Sequence, residues 1–208
     1  MKCQLCEVRR PRRFCPGVRG EICAPCCGAE REVTITCPLD CEYLREARLH
    51  ENPPEVDPDK FPNSDIRVSE NFLRNNERLL TFAAATLFQA SQEIPDVIDL
   101  DMRDALGALI RTYRTLERGL IYESRPANPM AAGVQQRFQQ ALQEYRQHAT
   151  QSTGMTTIRD ADVLGILVFL ERLELSNNNG RRRGRAFIDF LRGFFPSQPS
   201  NSSQLVTP

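Results

Sequence analysis

Apolar residues recur at helical spacing through most of the chain beyond residue 65. Phe72, Leu79, Leu80, Ala83, Leu87 and Phe88 fall on one side of a helix expected from Ser69, as N-cap, to about Glu93. Met102, Leu106, Leu109, Tyr113, Leu116 and Leu120 follow in alternating steps of four and three, a seam suited to near-parallel helix packing. Asp99, Asp101 and Asp104 crowd the start of that second helix, where the helix dipole favours negative charge. Asn128-Pro129 is a good N-cap and first-turn pair for a third, with Ala131, Val134, Phe138, Leu142, Tyr145 and Ala149 as its stripe. Residues 150–158 read as a loop. Asp160 then caps a helix to about Leu175 that is apolar on most sides, which belongs at a bundle centre or a subunit interface. Asn177-Asn178-Asn179-Gly180 ends it. Arginines at 181–185 lead into a final helix, Ala186 to Phe195. A basic, Phe-rich helix at a terminus suits an anionic membrane surface, but closing an otherwise open apolar bundle is the expectation. The Ser/Pro/Gln/Asn-rich stretch 196–208 is expected to be disordered.

The N-terminal part has a different pattern. Glu32 to Thr36 alternates like a short strand, able to pair with Val18–Ile22 across a turn at Cys23–Glu30, in which Gly28 suits a positive φ. Pro38 starts a helix to about Leu49, with Leu39, Tyr43, Leu44 and Ala47 facing inward. Pro53, Pro54, Pro58 and Pro62 make 51–64 a stiff, extended linker. The expected division is residues 1–50, linker 51–64, helical domain 65–195 and tail 196–208.

All eight cysteines lie in the first 41 residues, spaced C-x2-C-x8-C-x7-C-x2-C-C-x9-C-x3-C. A C-x2-C pair turns the backbone so that both sulfurs face one ion. Cys3, Cys6, Cys23 and Cys26 supply two such pairs and complete one four-sulfur site. Cys15, Cys27, Cys37 and Cys41 remain for a second. Adjacent Cys26 and Cys27 leave open which of the two joins which site. Disulfides are not expected, since residues 1–30 lack the apolar core of a signal peptide. An iron–sulfur cluster is disfavoured because the close C-x2-C-x2-C run is missing. Two structural Zn2+ ions are the expectation, and a closed four-sulfur shell leaves no open position for hydrolytic chemistry.

The interleaved array resembles the B-box type of cross-braced zinc finger over roughly residues 3–44. The likeness rests on Cys3-x2-Cys6, Phe14-Cys15, Ile22-Cys23-x2-Cys26 and the closing pair Cys37/Cys41. It implies that Cys3, Cys6, Cys23 and Cys26 share one ion and that Cys15, Cys37 and Cys41 share the other. Cys27 then replaces a ligand that the family carries where this chain has Gly17, Val18 and Arg19, and cysteines stand for its terminal histidines. The resemblance also implies a role in assembly, since such fingers sit beside helical segments. The finger-plus-bundle layout resembles that of bacterial proteins without an assigned function.

Charge refines this reading. The chain carries 27 Lys/Arg and 27 Asp/Glu. Arg9, Arg10, Arg12, Arg13 and Arg19 invite a nucleic-acid reading, yet eight thiolates on two Zn2+ would take residues 1–50 from a formal +2 to about −2. Donation of hydrogen bonds to sulfur is the cheaper account of these arginines. No P-loop, G-x-G-x-x-G, H-E-x-x-H or G-x-S-x-G occurs, and no apolar run reaches the ~20 residues of a membrane span. The expected protein is mainly α: a small double-zinc cross-brace finger, then an all-α bundle of about five helices. Its expected function is non-catalytic, a zinc-finger interaction or scaffold module of the cytoplasm that meets a protein partner or self-associates, with no membrane-surface partner expected. The alternative is nucleic-acid binding through Arg9, Arg10, Arg12, Arg13, Arg181, Arg182 and Arg183. An iron–sulfur redox protein ranks below both. A further expectation is that Cys3, Cys23 or Cys37 to Ser unfolds the finger and leaves the bundle's helicity nearly intact.

Overall fold

The computed structural model describes residues 1–51, 54–57, 60–153 and 158–195; the expected tail lies outside them. The described residues are mainly helical, as the hydrophobic pattern predicts, with one small two-stranded sheet among them. β1 (Arg13–Cys15) and β2 (Gly20–Ile22) pair antiparallel, with Arg13 opposite Ile22 and Cys15 opposite Gly20. Two short helices follow, α1 (Ala24–Glu30) and α2 (Glu42–Arg48). The remainder is α3 (Glu70–Asn75), α4 (Glu77–Glu93), α5 (Asp99–Glu117), α6 (Pro129–Thr153), α7 (Asp160–Asn177) and α8 (Ala186–Phe194).

The larger helices follow their sequence signals closely. The Ser69 hydroxyl accepts the Phe72 N–H at 3.1 Å, and the Asn128 side chain accepts the Met130 N–H at 2.9 Å, so both N-caps form. The first expected helix is broken at Asn76, whose φ of −112° and ψ of 22° leave the α region. Its side chain donates to the Phe72 carbonyl at 3.0 Å, the local backbone competition that disfavours Asn inside helices. α6 runs on to Thr153 where a loop was expected from residue 150; residues 154–157 of that loop are outside the described set. Arg159, not Asp160, occupies the N-cap of α7. Asp160 instead pairs with Arg146 of α6 at 2.7 Å.

α7 is core. Val163 to Val168 and Leu170 are buried, and the helix packs against α5, α4 and α8. α8 does close the bundle, burying Phe187, Ile188 and Leu191 in the same cluster as α4, α5 and α7. Phe169 and Leu173 of α7 meet Leu80 and Ala84 of α4 and Phe190 and Phe194 of α8 around an apolar groove of ≈ 430 Å³.

The N-terminal region departs from expectation at three points. Residues 32–36 do not pair with β2, which takes Arg13–Cys15 as its partner. The N–H groups of Val33, Thr34 and Ile35 all turn to the Glu30 carbonyl at 3.1–3.2 Å, leaving only an isolated parallel bridge between Arg31 and Ile35. Cys23–Glu30 is not a turn but the N-cap and body of α1, so Gly28 is helical, and the described positive-φ glycines are Gly119 and Gly180. Finally, Pro38-Leu39-Asp40 forms a turn closed by the Cys41 N–H on the Pro38 carbonyl at 3.0 Å, and α2 begins only after Cys41.

Two apolar clusters result. One gathers Ile22, Ile35, Leu44 and the buried cysteines; the other fills the bundle and includes Leu39, which leaves the finger to pack there. The region between them is polar. Glu32, fully buried at φ 53°, accepts from Arg48 of α2, from Asn179, and from the backbone N–H of Arg185. The linker is tied down at its far end, where Asn63 bonds Arg114 of α5 and Glu171 of α7.

Candidate metal centre

Cys3 and Cys6 occupy a tight loop in which Cys3 N–H meets the Arg9 carbonyl and Glu7 N–H meets the Cys3 carbonyl, with Glu7 at φ 54°. Gln4 N–H on Glu21 O and Arg12 N–H on Ile22 O lay this loop along β2. β2 runs directly into Cys23, the N-cap of α1, and Cys26 follows in the first turn of that helix. The sulfurs of Cys3, Cys6, Cys23 and Cys26 consequently lie within 4.8 Å of one another, and Cys6 Sγ is 4.0 Å from Cys23 Sγ. Tetrahedral Zn2+ with Zn–S bonds of about 2.3 Å places its ligands about 3.8 Å apart, so the set is the right size for one ion. The adjacency of Cys26 and Cys27 is thereby resolved: Cys26 turns its sulfur into this set.

The donor chemistry fits as well. Cys3 Sγ accepts the Cys23 N–H at 3.2 Å. Burial pushes the Cys3 thiol up, but the backbone N–H groups of Cys23, Cys6 and Leu5 outweigh it and hold the pKa at about 6. Cys26 is driven the other way, to about 12, by its hydrogen bond with Cys23, by burial, and by Cys6 and Cys3. Four sulfurs so close cannot all carry charge alone; a divalent cation relieves that conflict.

Cys15 at the end of β1, Cys27 inside α1, Cys37 and Cys41 come from separate places yet line one small cavity of ≈ 10 Å³ together with Ile22, Ile35 and Leu44. Among the described residues only the first set brings its ligand atoms within 4.8 Å of one another. Burial pushes Cys37 up to about 11; the Glu32 N–H pulls it down, while the Glu32 carboxylate, Cys15 and Cys41 push it further up. Cys27 Sγ accepts Arg13 Nη1 at 3.5 Å and Arg31 Nη2 at 3.8 Å. Arg13 also lies over the Tyr43 ring, 4.0 Å from its centroid.

The other candidate arginines scatter. Arg9, Arg10, Arg12 and Arg182 are exposed. Arg181 reaches the Arg31 carbonyl at 2.8 Å, and Arg183 reaches Thr36 Oγ1 at 2.5 Å, so both tie the α7–α8 loop to the finger. Sequence reasoning gave Glu32 and Asp99 other roles, in a strand and at a helix dipole, and missed Arg48. Asp99 is buried and caps α8 from another helix, accepting the Phe187 and Ile188 N–H groups at 2.9 and 3.1 Å. An Asp at the start of an amphipathic helix reads as a dipole partner of its own helix, so no local signal marks that role.

No protein-family model, curated protein or solved structure matches the chain. Among the described residues no helix is long and apolar enough to cross a membrane.

Proposed function

We propose that this chain is a non-catalytic zinc protein of the cytoplasm, in which a B-box-like finger with two four-cysteine sites is held against a helical scaffold that receives a protein partner. The observation that carries the reading is the convergence of Cys3, Cys6, Cys23 and Cys26 within 4.8 Å. A bound ion would supply four strong bonds between the Cys3–Cys6 loop and the start of α1, which are otherwise joined by a few hydrogen bonds such as Gln4 N–H to the Glu21 carbonyl, and this makes its role architectural. For the second ion, Cys15, Cys27, Cys37 and Cys41 are the ligands, with the Arg13 and Arg31 guanidinium groups against Cys27 compensating thiolate charge. Four thiolates complete a tetrahedral shell at each site, so neither ion has a position left for substrate. The apolar groove between α4, α7 and α8, with Phe194 65% exposed at its edge, supports the partner reading, because such a surface suits an apolar protein segment.

The exposed Arg9, Arg10 and Arg12 support a second reading, phosphate contact with a nucleic acid. One experiment separates the two. The tagged protein is purified from its own cells at moderate salt, with and without nuclease, and its metal is measured. A stoichiometric protein that survives nuclease, on a colourless zinc-containing preparation, supports the proposal; self-association would be seen as a second copy in the same eluate. Nucleic acid in the eluate, lost together with its proteins on nuclease treatment, overturns it in favour of the arginines. Iron in place of zinc overturns the zinc assignment.

A further inference from the structure

Glu32 touches both halves of the molecule. It stands five residues before Cys37, and its carbonyl accepts the Arg183 N–H at 2.8 Å. Its carboxylate accepts Arg48 at 2.7 Å and the Arg185 N–H at 2.9 Å through one oxygen, and Asn179 at 2.7 Å through the other. Arg185 is the N-cap residue of α8, and residues 179–183 are the loop that delivers it. Besides Asp99, a second buried carboxylate, on the finger side, therefore holds the start of the closing helix.

The rest of α8 is tied to the same stretch of the finger. Arg48 also pairs with Asp189 in the first turn of α8. Arg192, in its last turn, pairs with Asp40 at 2.8 Å and donates to the Leu39 carbonyl at 3.3 Å. Thr36 takes Arg183. Glu32, Thr36, Leu39 and Asp40 all lie within five residues of Cys37, and Asp40 directly precedes Cys41. None of these four lies in a strand or a helix, so little regular backbone bonding holds their positions. Within the finger the chain from 31 to 41 is anchored by buried Ile35 and Cys37, by Cys41, and by the Val33, Thr34 and Ile35 N–H groups on the Glu30 carbonyl.

We propose that metal occupancy of the Cys15/Cys27/Cys37/Cys41 site sets the seating of α8 through Glu32, so that the bundle's closing helix reads the metal state of the finger. With the ion in place, Cys37 and Cys41 are fixed, Glu32 stays under Arg48, and the α7–α8 loop is held. When the ion leaves, the 31–41 chain loses its two cysteine anchors and the buried carboxylate loses the frame that keeps its three partners around it. α8 then retains the Asp99 cap, the Arg48–Asp189 pair and its own apolar face, and loses its ties to residues 32–40. Phe190, Leu191 and Phe194 are one wall of the groove against α4 and α7, so the groove changes with the finger's metal.

The inference rests on the second zinc site, and hydrogen exchange read by mass spectrometry on the full chain tests it with metal content measured on the same samples. Three samples are compared: loaded wild type, wild type stripped by a chelator under reducing conditions, and loaded Glu32→Ala. Stripping is expected to speed amide exchange over residues 185–195 by about tenfold or more while α5 stays protected. Loaded Glu32→Ala is expected to exchange fast over 185–195 with its metal retained. If α8 exchanges equally with and without metal, or if α5 and α8 open together, the coupling through Glu32 is overturned while the zinc sites stand. Protein that binds one ion or none sinks the second site and this proposal together. Should Glu32→Ala fail to fold, the two wild-type samples still decide the matter.

Discussion

Arg48 places its guanidinium 2.7 Å from the Glu32 carboxylate, at a glutamate with no solvent exposure. Removing one partner of such a pair strands the other charge, which typically costs about 3–5 kcal/mol, whereas replacing both by apolar groups can be neutral. Arg48→Ala is therefore expected to destabilise the chain by that order in urea unfolding. The Glu32→Leu/Arg48→Met pair should lose less than the sum of its single changes, because the two residues share one interaction. Additive losses would mean that the pair contributes nothing as a pair.

The long helices were legible because their information is local. Ser69 and Asn128 announce N-termini, and the Met102–Leu116 seam repeats often enough to fix a face. The first metal set was legible for the same reason, two C-x2-C knuckles. Residues 31–36 misled because Val33 and Ile35 alternate with polar neighbours as a strand would, while the deciding contact, Glu32 with Arg48 and Asn179, spans up to 147 residues. The docking of finger on bundle had no sequence mark. It also revises the expected consequence of a cysteine change: α8, bonded to Glu32 and Asp40, should loosen with the finger even if α4 to α7 stay folded.

Metal stoichiometry separates the two cysteine sets. Wild type is expected to hold about two zinc ions per chain, and Cys3→Ser and Cys37→Ser about one each, because a three-sulfur remnant binds far more weakly than a closed shell. Elemental analysis after dialysis against a mild chelator reads this directly. A wild type with one ion, unchanged by Cys37→Ser, would leave only the Cys3/Cys6/Cys23/Cys26 site.

Asp99 gives the stability a definite pH slope. Burial pushes its carboxyl up to about 7 against the Phe187 and Ile188 N–H groups, with Glu174 and Glu32 adding to the rise. The folded chain thus holds this proton more tightly than the unfolded chain, whose ordinary value is about 3.9. The resulting stabilisation is complete below pH of about 4 and is lost as pH rises through about 7, at up to about 1.4 kcal/mol per unit. Asp101, Glu171 and Glu174 are also raised, chiefly by burial, and act with the same sign. Urea titrations of loaded protein between pH of about 5 and 8 should therefore show a shallower decline in Asp99→Asn than in wild type. Parallel slopes would assign the pH dependence to the other carboxylates.

Two helical glycines should respond to alanine with opposite signs. Alanine stabilises an exposed helix position by up to about 1 kcal/mol relative to glycine, because glycine gives up more backbone freedom on folding. At Gly193 of α8 an added Cβ meets nothing within 4 Å, so Gly193→Ala should gain most of that amount. At Gly165 of α7 the same carbon would sit 2.5 Å from Phe72 Cζ and 2.9 Å from its Cε1. Phe72 is the aromatic anchor of the short helix α3, packed against the core, and its ring has no slender end to swing aside. Overpacking of this kind costs about 1–3 kcal/mol, more than the propensity gain, so Gly165→Ala should lower the melting temperature while Gly193→Ala raises it. Because both changes are the same in chemistry, the opposite shifts would isolate the contact between α3 and α7. A Gly165→Ala variant as stable as wild type would show that α3 can ride away from α7 at little cost.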